Sequence, residues 1–424
     1  MEKNNSKEKP LSSIKTENRR IYFDWAASAP LINTFIDVPY GNPSSLHSEG
    51  KAAKTAIEEA RERCAAVLKV PPETLYFTSG GTESNGIALF SNLMRIGNGR
   101  ILSSMAEHAS IREGMQALEK VGKPTGNIAV DSSGRVTIET LKKAFEKYDD
   151  TRFVSIMSVN NETGAVTGIA SLKDVIRNKK GAPIHFHCDL VQAVGKIPVD
   201  IQGWEIDSAS ISAHKIGGPR GIGLLYLRKP LDVFYSGGGQ ERGIRGGTEN
   251  TYGAAALANC LEQITEEFTV NQQGVGCRES GVEDKSKTTL INFFQAEKRM
   301  NKLMSALLKI DRCALIPKER SMLDSQIPGH QSPVTGPLFS PYILQAAFKD
   351  IPGEVMARAL DDLGFAVSTG SACSSSSPER PVLASMGVEE KLRIEGIRIS
   401  QGYSTTDDDI DQLIVAITEI LKFL

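Results

Sequence analysis

In SISAHKIGGPRGIG, residues 210–223, Lys215 leaves a run of small residues and enters a glycine-rich turn before the apolar run GLLYL. Small residues let other atoms approach the backbone, and glycines permit tight turns around a ligand, so this amine is expected at a strand end beside a bound molecule. Asp189 follows the apolar run IHFHC, where parallel sheets gather ligand groups, although an aspartate there also suits a helix cap. FTSGGTESN (77–85) passes from a strand through glycines into a helix. That turns unpaired backbone N–H groups and a positive dipole end outward, as a phosphate cup does; a plain strand-to-helix connector has the same form. His108, in AEHASI, is the residue type suited to moving protons near neutrality. Arg398, in GIRISQG, carries a planar fork that fits a carboxylate or a simple ion pair.

Cys373 lies in STGSACSSSS. Small polar residues pack poorly, so an exposed, mobile segment able to swing a thiol between sites is expected there. The other cysteines (Cys64, Cys188, Cys260, Cys277 and Cys313) are scattered with no CxxC pair, which predicts reduced thiols, with Cys64 and Cys260 acting as small buried hydrophobes on helix faces. His185, His187 and Cys188 crowd one strand. They cannot close a tetrahedral site without a fourth ligand, and none is visible nearby, so no metal is expected.

The elements that must carry these groups alternate. β-rich runs recur at IYFD (21–24), TLYFTS (74–79), ILSS (101–104), FVSIMSV (153–159), IHFHCD (184–189), DSASISA (207–213) and GLLYL (223–227). With helical stretches between them, such as 49–68, they predict an α/β fold on a mostly parallel sheet covered on both faces. Residues 1–20 read as a flexible polar tail, 21–255 as a large domain and 256–424 as a smaller α+β domain, with the N-terminal segment able to pack on it. The smaller domain is interrupted by irregular stretches at 269–287 and 317–337, resumes with YILQAAF, FAVSTG and GIRISQG, and closes with an amphipathic helix from Asp407 to Leu424.

The 424 residues carry a formal net charge of -2. No global basic field exists to hold nucleic acid or an anionic membrane. No stretch approaches the roughly 20 consecutive apolar residues of a membrane span, and the first residues lack a secretory core. Glu2, Glu8 and Glu17 count against an acid-poor transit peptide, so a cytoplasmic location is expected.

Several long motifs occur together and in order: GNPSSLHSEG (41–50), FTSGGTESN, AEHASI, SVNNETG (158–164), HCDLVQAVGKIP (187–198), SAHKIGGPRGIG (212–223), GGGQERGIRGGTEN (237–250) and STGSACSS (368–375). From Ile21 to Val415 the chain resembles the NifS/IscS-like cysteine desulfurases, which depend on pyridoxal 5'-phosphate. The resemblance implies a fold-type I transferase, with a seven-stranded large domain and a smaller α+β domain, working as a homodimer. It makes Lys215 the amine that carries the cofactor, Asp189 the partner of its ring nitrogen and Gln192 the partner of its phenolic oxygen. Gly81, Thr82, Ser212 and His214 would hold its phosphate. His108 would stack on the ring and move protons, with Asn161 near cofactor and substrate. Arg398 would take the carboxylate of L-cysteine, and Cys373 would accept its sulfur as a persulfide. Thr248 would reach the neighbouring subunit's phosphate, cap a helix, or both. The implied sulfur acceptor is an iron-sulfur scaffold or a tRNA-thiolation protein. Trp25 and Ser28 depart from the family's pattern near the pocket, and the segment from Pro30 to Gly41 is short. Two other readings share these residues: a selenocysteine lyase, and a catalytically idle binding protein on the same fold.

Overall fold

The structure, a computed structural model, describes residues 20–32, 36–95, 99–265, 288–321, 338–370 and 379–424. Cys277, Cys373, nearly all of the polar N-terminal tail and most of the two irregular stretches lie outside the described residues; of the second stretch, Lys318–Ser321 forms one 3-10 turn.

The chain begins with strand β1 (Ile21–Tyr22) and helix α1 (Ser48–Leu68), then β2 (Leu75–Thr78), α2 (Gly81–Phe90), β3 (Arg100–Ser104) and α3 (Ala109–Lys120). It continues through β4 (Thr125–Ile128), α4 (Ile138–Lys147), β5 (Thr151–Ser155), α5 (Ile169–Arg177), β6 (His185–Asp189), β7 (Ser208–Ser212), β8 (Gly223–Leu227) and α6 (Thr251–Thr265). Seven of these strands form one sheet in the order β2-β8-β7-β6-β5-β3-β4. Only β8 runs against the others. The central strands are apolar on both faces because helices cover both: Phe153, Val154, Phe186, Ala209, Leu224 and Leu225 are buried.

Helix α1 shows how the local pattern works. Ala53, Ile57, Ala60, Cys64 and Leu68 recur every three or four residues and are all buried, each larger side chain contributing about 1.5–3 kcal/mol on leaving water. It packs in the large-sheet core with α6, whose Ala254, Leu257, Ala258, Cys260 and Leu261 belong to the same cluster. A division at 255 therefore falls inside one helix.

The second half comprises α7 (Thr288–Leu307), β9 (Cys313–Ile316), β10 (Ile343–Phe348), α8 (Gly353–Asp362), β11 (Phe365–Ala366), α9 (Pro381–Ser385), α10 (Glu390–Glu395), β12 (Gly396–Ser400) and α11 (Asp407–Phe423). Strands β12, β10 and β9 make an antiparallel sheet. Ile21 and Phe23 join its core together with Met300, Leu344, Phe365, Ile399 and Leu413.

One expected strand pairs elsewhere. Within IYFD only Ile21 and Tyr22 form a strand, and it runs parallel to β11 rather than in the large sheet. The seventh strand of that sheet is the edge strand β4, TGNI. Its glycine hides it from propensity, yet a Cβ on Gly126 would fall 2.8 Å from Leu102 and 2.9 Å from Tyr148, so close packing requires glycine there.

Candidate active site

The C-terminal ends of β2, β3, β5, β6 and β7 open on one cavity of about 280 Å³, the place where open α/β sheets bind ligands. Ten of the residues singled out in the sequence line it: Gly81, Thr82, His108, Asn161, Asp189, Gln192, Ser212, His214, Lys215 and Arg398. Ala26, Ala27, Asn85, Met157 and Val191 complete it. Thr248 is exposed and does not line the cavity. The cap before α6 comes from Asn250 instead, whose side chain accepts from the Gly253 N–H at 2.8 Å.

Lys215 ends the single 3-10 turn Ala213–Lys215 that follows β7. Its Nζ donates to the carbonyls of Ala26 and Ala27 at 2.7 and 2.9 Å. Gln192 Nε2 donates to the same Ala26 carbonyl at 2.9 Å, so amine and amide meet at one point of the wall. Trp25 and Ser28, where the chain departs from its resemblance, flank that carbonyl pair. Trp25 is buried, edge-on to Tyr403 at 4.8 Å; a Cβ on Gly402 would fall 2.1 Å from its indole. Ser28 Oγ lies 3.4 Å from His214 Nδ1.

Asp189 ends β6 almost fully buried. Its Oδ1 accepts from the Val191 N–H at 2.9 Å and its Oδ2 from Asn85 Nδ2 at 2.8 Å. Asn85 lies three residues after Thr82 on α2, hence on the same helix face. The motif FTSGGTESN contained Asn85, but its role becomes visible only once α2 is laid against β6. Helix α2 begins after Gly80 (φ 148), with no side chain capping it. Its first N–H groups are thus available to an anion.

His108 caps α3: its Nδ1 accepts from the Ser110 N–H at 3.1 Å, which leaves the proton of the neutral ring on Nε2. Burial holds this imidazole below its ordinary value, Asp189 pulling the other way. Burial, with Lys215 beside it, also lowers His214 to about 4. Arg398 is buried on β12, its Nη2 2.7 Å from Asp24 Oδ1 and its Nη1 3.0 Å from the Asn161 carbonyl. Its Nε is buried with no hydrogen-bond partner among the described residues. The other side of the site carries a buried acid that the motifs did not reveal: Glu107 accepts from the Met157 N–H at 2.6 Å, and burial together with Asp189 raises its carboxyl well above the ordinary range.

The four described cysteines are poor nucleophiles. Burial raises Cys64 and Cys313 to about 12, Cys260 to about 11 and Cys188 well above its ordinary value. His185 and His187 both hydrogen-bond Ser208 Oγ, at 2.7 and 2.8 Å, and stack on Phe153.

An amine, a buried carboxylate, an uncapped helix start and a neutral imidazole gathered at one sheet edge suit an aromatic aldehyde bearing a ring nitrogen and a phosphate. Pyridoxal 5'-phosphate has those groups, and the unused N–H groups of α2 and the orphaned Arg398 Nε fit it and the carboxylate of an amino-acid substrate.

Residues 21–274 match the class V aminotransferase family. The chain is 33% identical over 426 residues to a cysteine desulfurase IscS of Methanosarcina thermophila, covering 97% of this chain and 94% of that one. It is 34% identical over 420 residues to a cysteine desulfurase IscS of Dictyoglomus turgidum, covering 96% and 95%. A solved NifS-like protein superposes with a TM-score of 0.79 at 32% identity, covering 96% of this chain and all of that one. The chain therefore belongs to the class V aminotransferases and, within them, to the cysteine desulfurases, fold-type I enzymes that work with pyridoxal 5'-phosphate.

Proposed function

We propose that this enzyme takes sulfur from L-cysteine onto Cys373, releases L-alanine, and passes the persulfide to an acceptor protein. The observation that carries the reading is the meeting of Lys215 and Gln192 on the Ala26 carbonyl, in a cavity that also holds Asp189, the start of α2 and Arg398.

Gly81 and Thr82 at the helix start, with Ser212 and His214, would hold the cofactor's phosphate. Asp189 would face its ring nitrogen, Gln192 its phenolic oxygen, and Lys215 would carry it covalently. When bound, pyridoxal 5'-phosphate supplies an electron sink for the substrate's α-carbon. Arg398 binds the substrate carboxylate through its unpaired Nε, its fork already fixed by Asp24 and Asn161. Lys215 and His108 move protons, the first at Nζ and the second at Nε2.

The thiolate of Cys373 attacks the substrate sulfur, and as the S–S bond forms the substrate's Cβ–S bond breaks; the bonding pair stays with the carbon, which takes up a proton and leaves as L-alanine, while Cys373 keeps the sulfur as a persulfide. Cys373 lies outside the described residues. Its approach is supported by the flanking chain: Ser368 exchanges two backbone hydrogen bonds with Arg398, and three residues beyond Gly370 span up to roughly 10 Å. The acceptor is an iron-sulfur scaffold or a tRNA-thiolation protein, and the enzyme acts as a cytoplasmic homodimer in which exposed Thr248 serves the neighbouring site. Among the described residues no helix is long and apolar enough to cross a membrane.

Alanine and sulfide release from cysteine, measured for wild type, Lys215→Ala and Cys373→Ala, tests the scheme. Both variants are expected to lose turnover, and only the lysine variant its covalent visible absorbance. A Cys373→Ala protein fully active on selenocysteine would favour the lyase; a wild type without that absorbance would favour an idle fold.

A further inference from the structure

We infer that His187 is a positioning residue for the Asp189 carboxylate, acting through Asn85 as part of a one-way chain of hydrogen-bond donors. The inference rests on the reading of Asp189 as the partner of the cofactor's ring nitrogen.

The chain follows from which atoms can donate. A carboxylate only accepts, so Asn85 must turn its NH2 toward Asp189 Oδ2, 2.8 Å away. The reversed amide would set two oxygens against each other. Asn85 Oδ1 then faces His187 Nε2 at 2.9 Å and Ser210 Oγ at 2.5 Å, and both of these must donate. His187 is fully buried, and that burial pushes its ring down to about 3, so it is neutral with the proton on Nε2. Its Nδ1, left with a lone pair, lies 2.8 Å from Ser208 Oγ, which must donate in turn. Ser208 Oγ then accepts from His185 Nε2 at 2.7 Å. His185, also lowered to about 3 by burial, is held flat on Phe153, 5.2 Å away and 3° from parallel. Every donor points toward Asp189.

The elements enforce this order. Alternation along β6 puts His187 and Asp189 on one face. The parallel register sets Ser208 opposite His187 and Ser210 opposite Asp189 on β7, and α2 lays Asn85 across them. His187, Ser208 and Ser210 are fully buried behind Asn85, so bulk water does not reach the side of the amide that meets these donors.

Pyridoxal 5'-phosphate dissociation constants and bound-cofactor spectra of Asp189→Ala, His187→Leu and His187→Gln make the test. Leucine fills the volume without a donor, whereas glutamine restores an N–H near the position of Nε2. His187→Leu is expected to bind the cofactor about tenfold to a hundredfold more weakly, as loss of a donor chain onto a charged group requires, with a shifted visible band. His187→Gln is expected to stay within a few-fold of wild type. Equal impairment of the two, or wild-type binding by His187→Leu, overturns the inference. Wild-type binding by Asp189→Ala overturns the underlying reading as well. Nitrogen-15 NMR of histidine-labelled wild type gives an answer independent of any variant's folding: the proton of His187 must lie on Nε2, and the opposite tautomer rules the chain out.

Discussion

At the scale of single residues the site is tuned from behind its wall. Lys196 is buried, and its Nζ donates to Gln192 Oε1 at 2.5 Å. This acceptor role turns the Gln192 NH2 toward the cavity wall, where it donates to the Ala26 carbonyl. Burial, with Lys215 and Arg398 adding repulsion, lowers the amine to about 7 from 10.5. The unfolded chain therefore binds more protons than the native state between those two values, and the contribution of Lys196 to stability grows as pH rises through that window and is lost as pH falls to 7. Comparing urea unfolding of cofactor-saturated wild type and Lys196→Met at pH 7 and pH 9, wild type should gain about 2 kcal/mol on the variant at the higher pH; an unchanged difference refutes the neutral lysine. Gln192 and Lys196 both stand in HCDLVQAVGKIP, so their presence was legible there. Their partnership was not, because a lysine reads as a surface charge until the turn after β6 buries it. Asn85 and Glu107 were missed for the same reason: each lies inside a motif, but its burial and polar partners exist only in the fold.

Elements hold these residues at fixed distances, and the GGGQERG stretch is the clearest case. Glu241 and Arg242 take left-handed backbone angles, φ 45 and 54, which non-glycine residues adopt only when the surroundings compel it. The compulsion is a buried two-pronged ion pair, with Arg61 Nη1 and Nη2 on α1 at 2.8 and 2.9 Å from the Glu241 carboxylate. Glu241 Oε2 also accepts from the Phe77 N–H at 2.7 Å. One side chain thus ties α1, β2 and the loop that carries Thr248. Removing it leaves the buried Arg61 guanidinium only the partly exposed Glu58 and the Leu75 carbonyl, so Glu241→Ala should destabilise the fold by about 3 kcal/mol, the low end of the cost of breaking a buried pair. Glu241→Gln, which keeps an acceptor for Arg61 and the Phe77 N–H, should lose distinctly less in chemical denaturation; equal losses would show that the retained acceptor contributes nothing and the carboxylate charge alone holds the loop. Periodicity made α1 and α11 legible in the sequence. It marked β1 but not its partner, a strand more than 340 positions away, and it missed β4, whose Gly126 answers to Leu102 and Tyr148 rather than to strand propensity.

At the scale of the whole molecule, the cavity draws its wall from both cores: Asp189 and Lys215 hang from the large sheet, while Arg398 comes from β12 of the smaller one and is tied to Asn161 and Asp24. Among the described residues, Thr248 is the candidate that this arrangement leaves outside, exposed on the same loop that Glu241 anchors. If Thr248 completes a neighbour's phosphate site, a charge placed there should damage the partner's cavity and not its own. Thr248→Glu would set a carboxylate against a phosphate, and like charges in a shared site repel. Homodimers of Thr248→Glu and of Lys215→Ala should each turn over cysteine poorly. Mixed by refolding or coexpression, they form heterodimers in which one site has an intact lysine from one chain and an intact threonine from the other. Random pairing makes half of the dimers mixed, with one good site in each, so about a quarter of wild-type activity should return. A monomer by light scattering, or a mixture no more active than its parents, would show that each chain closes its own site.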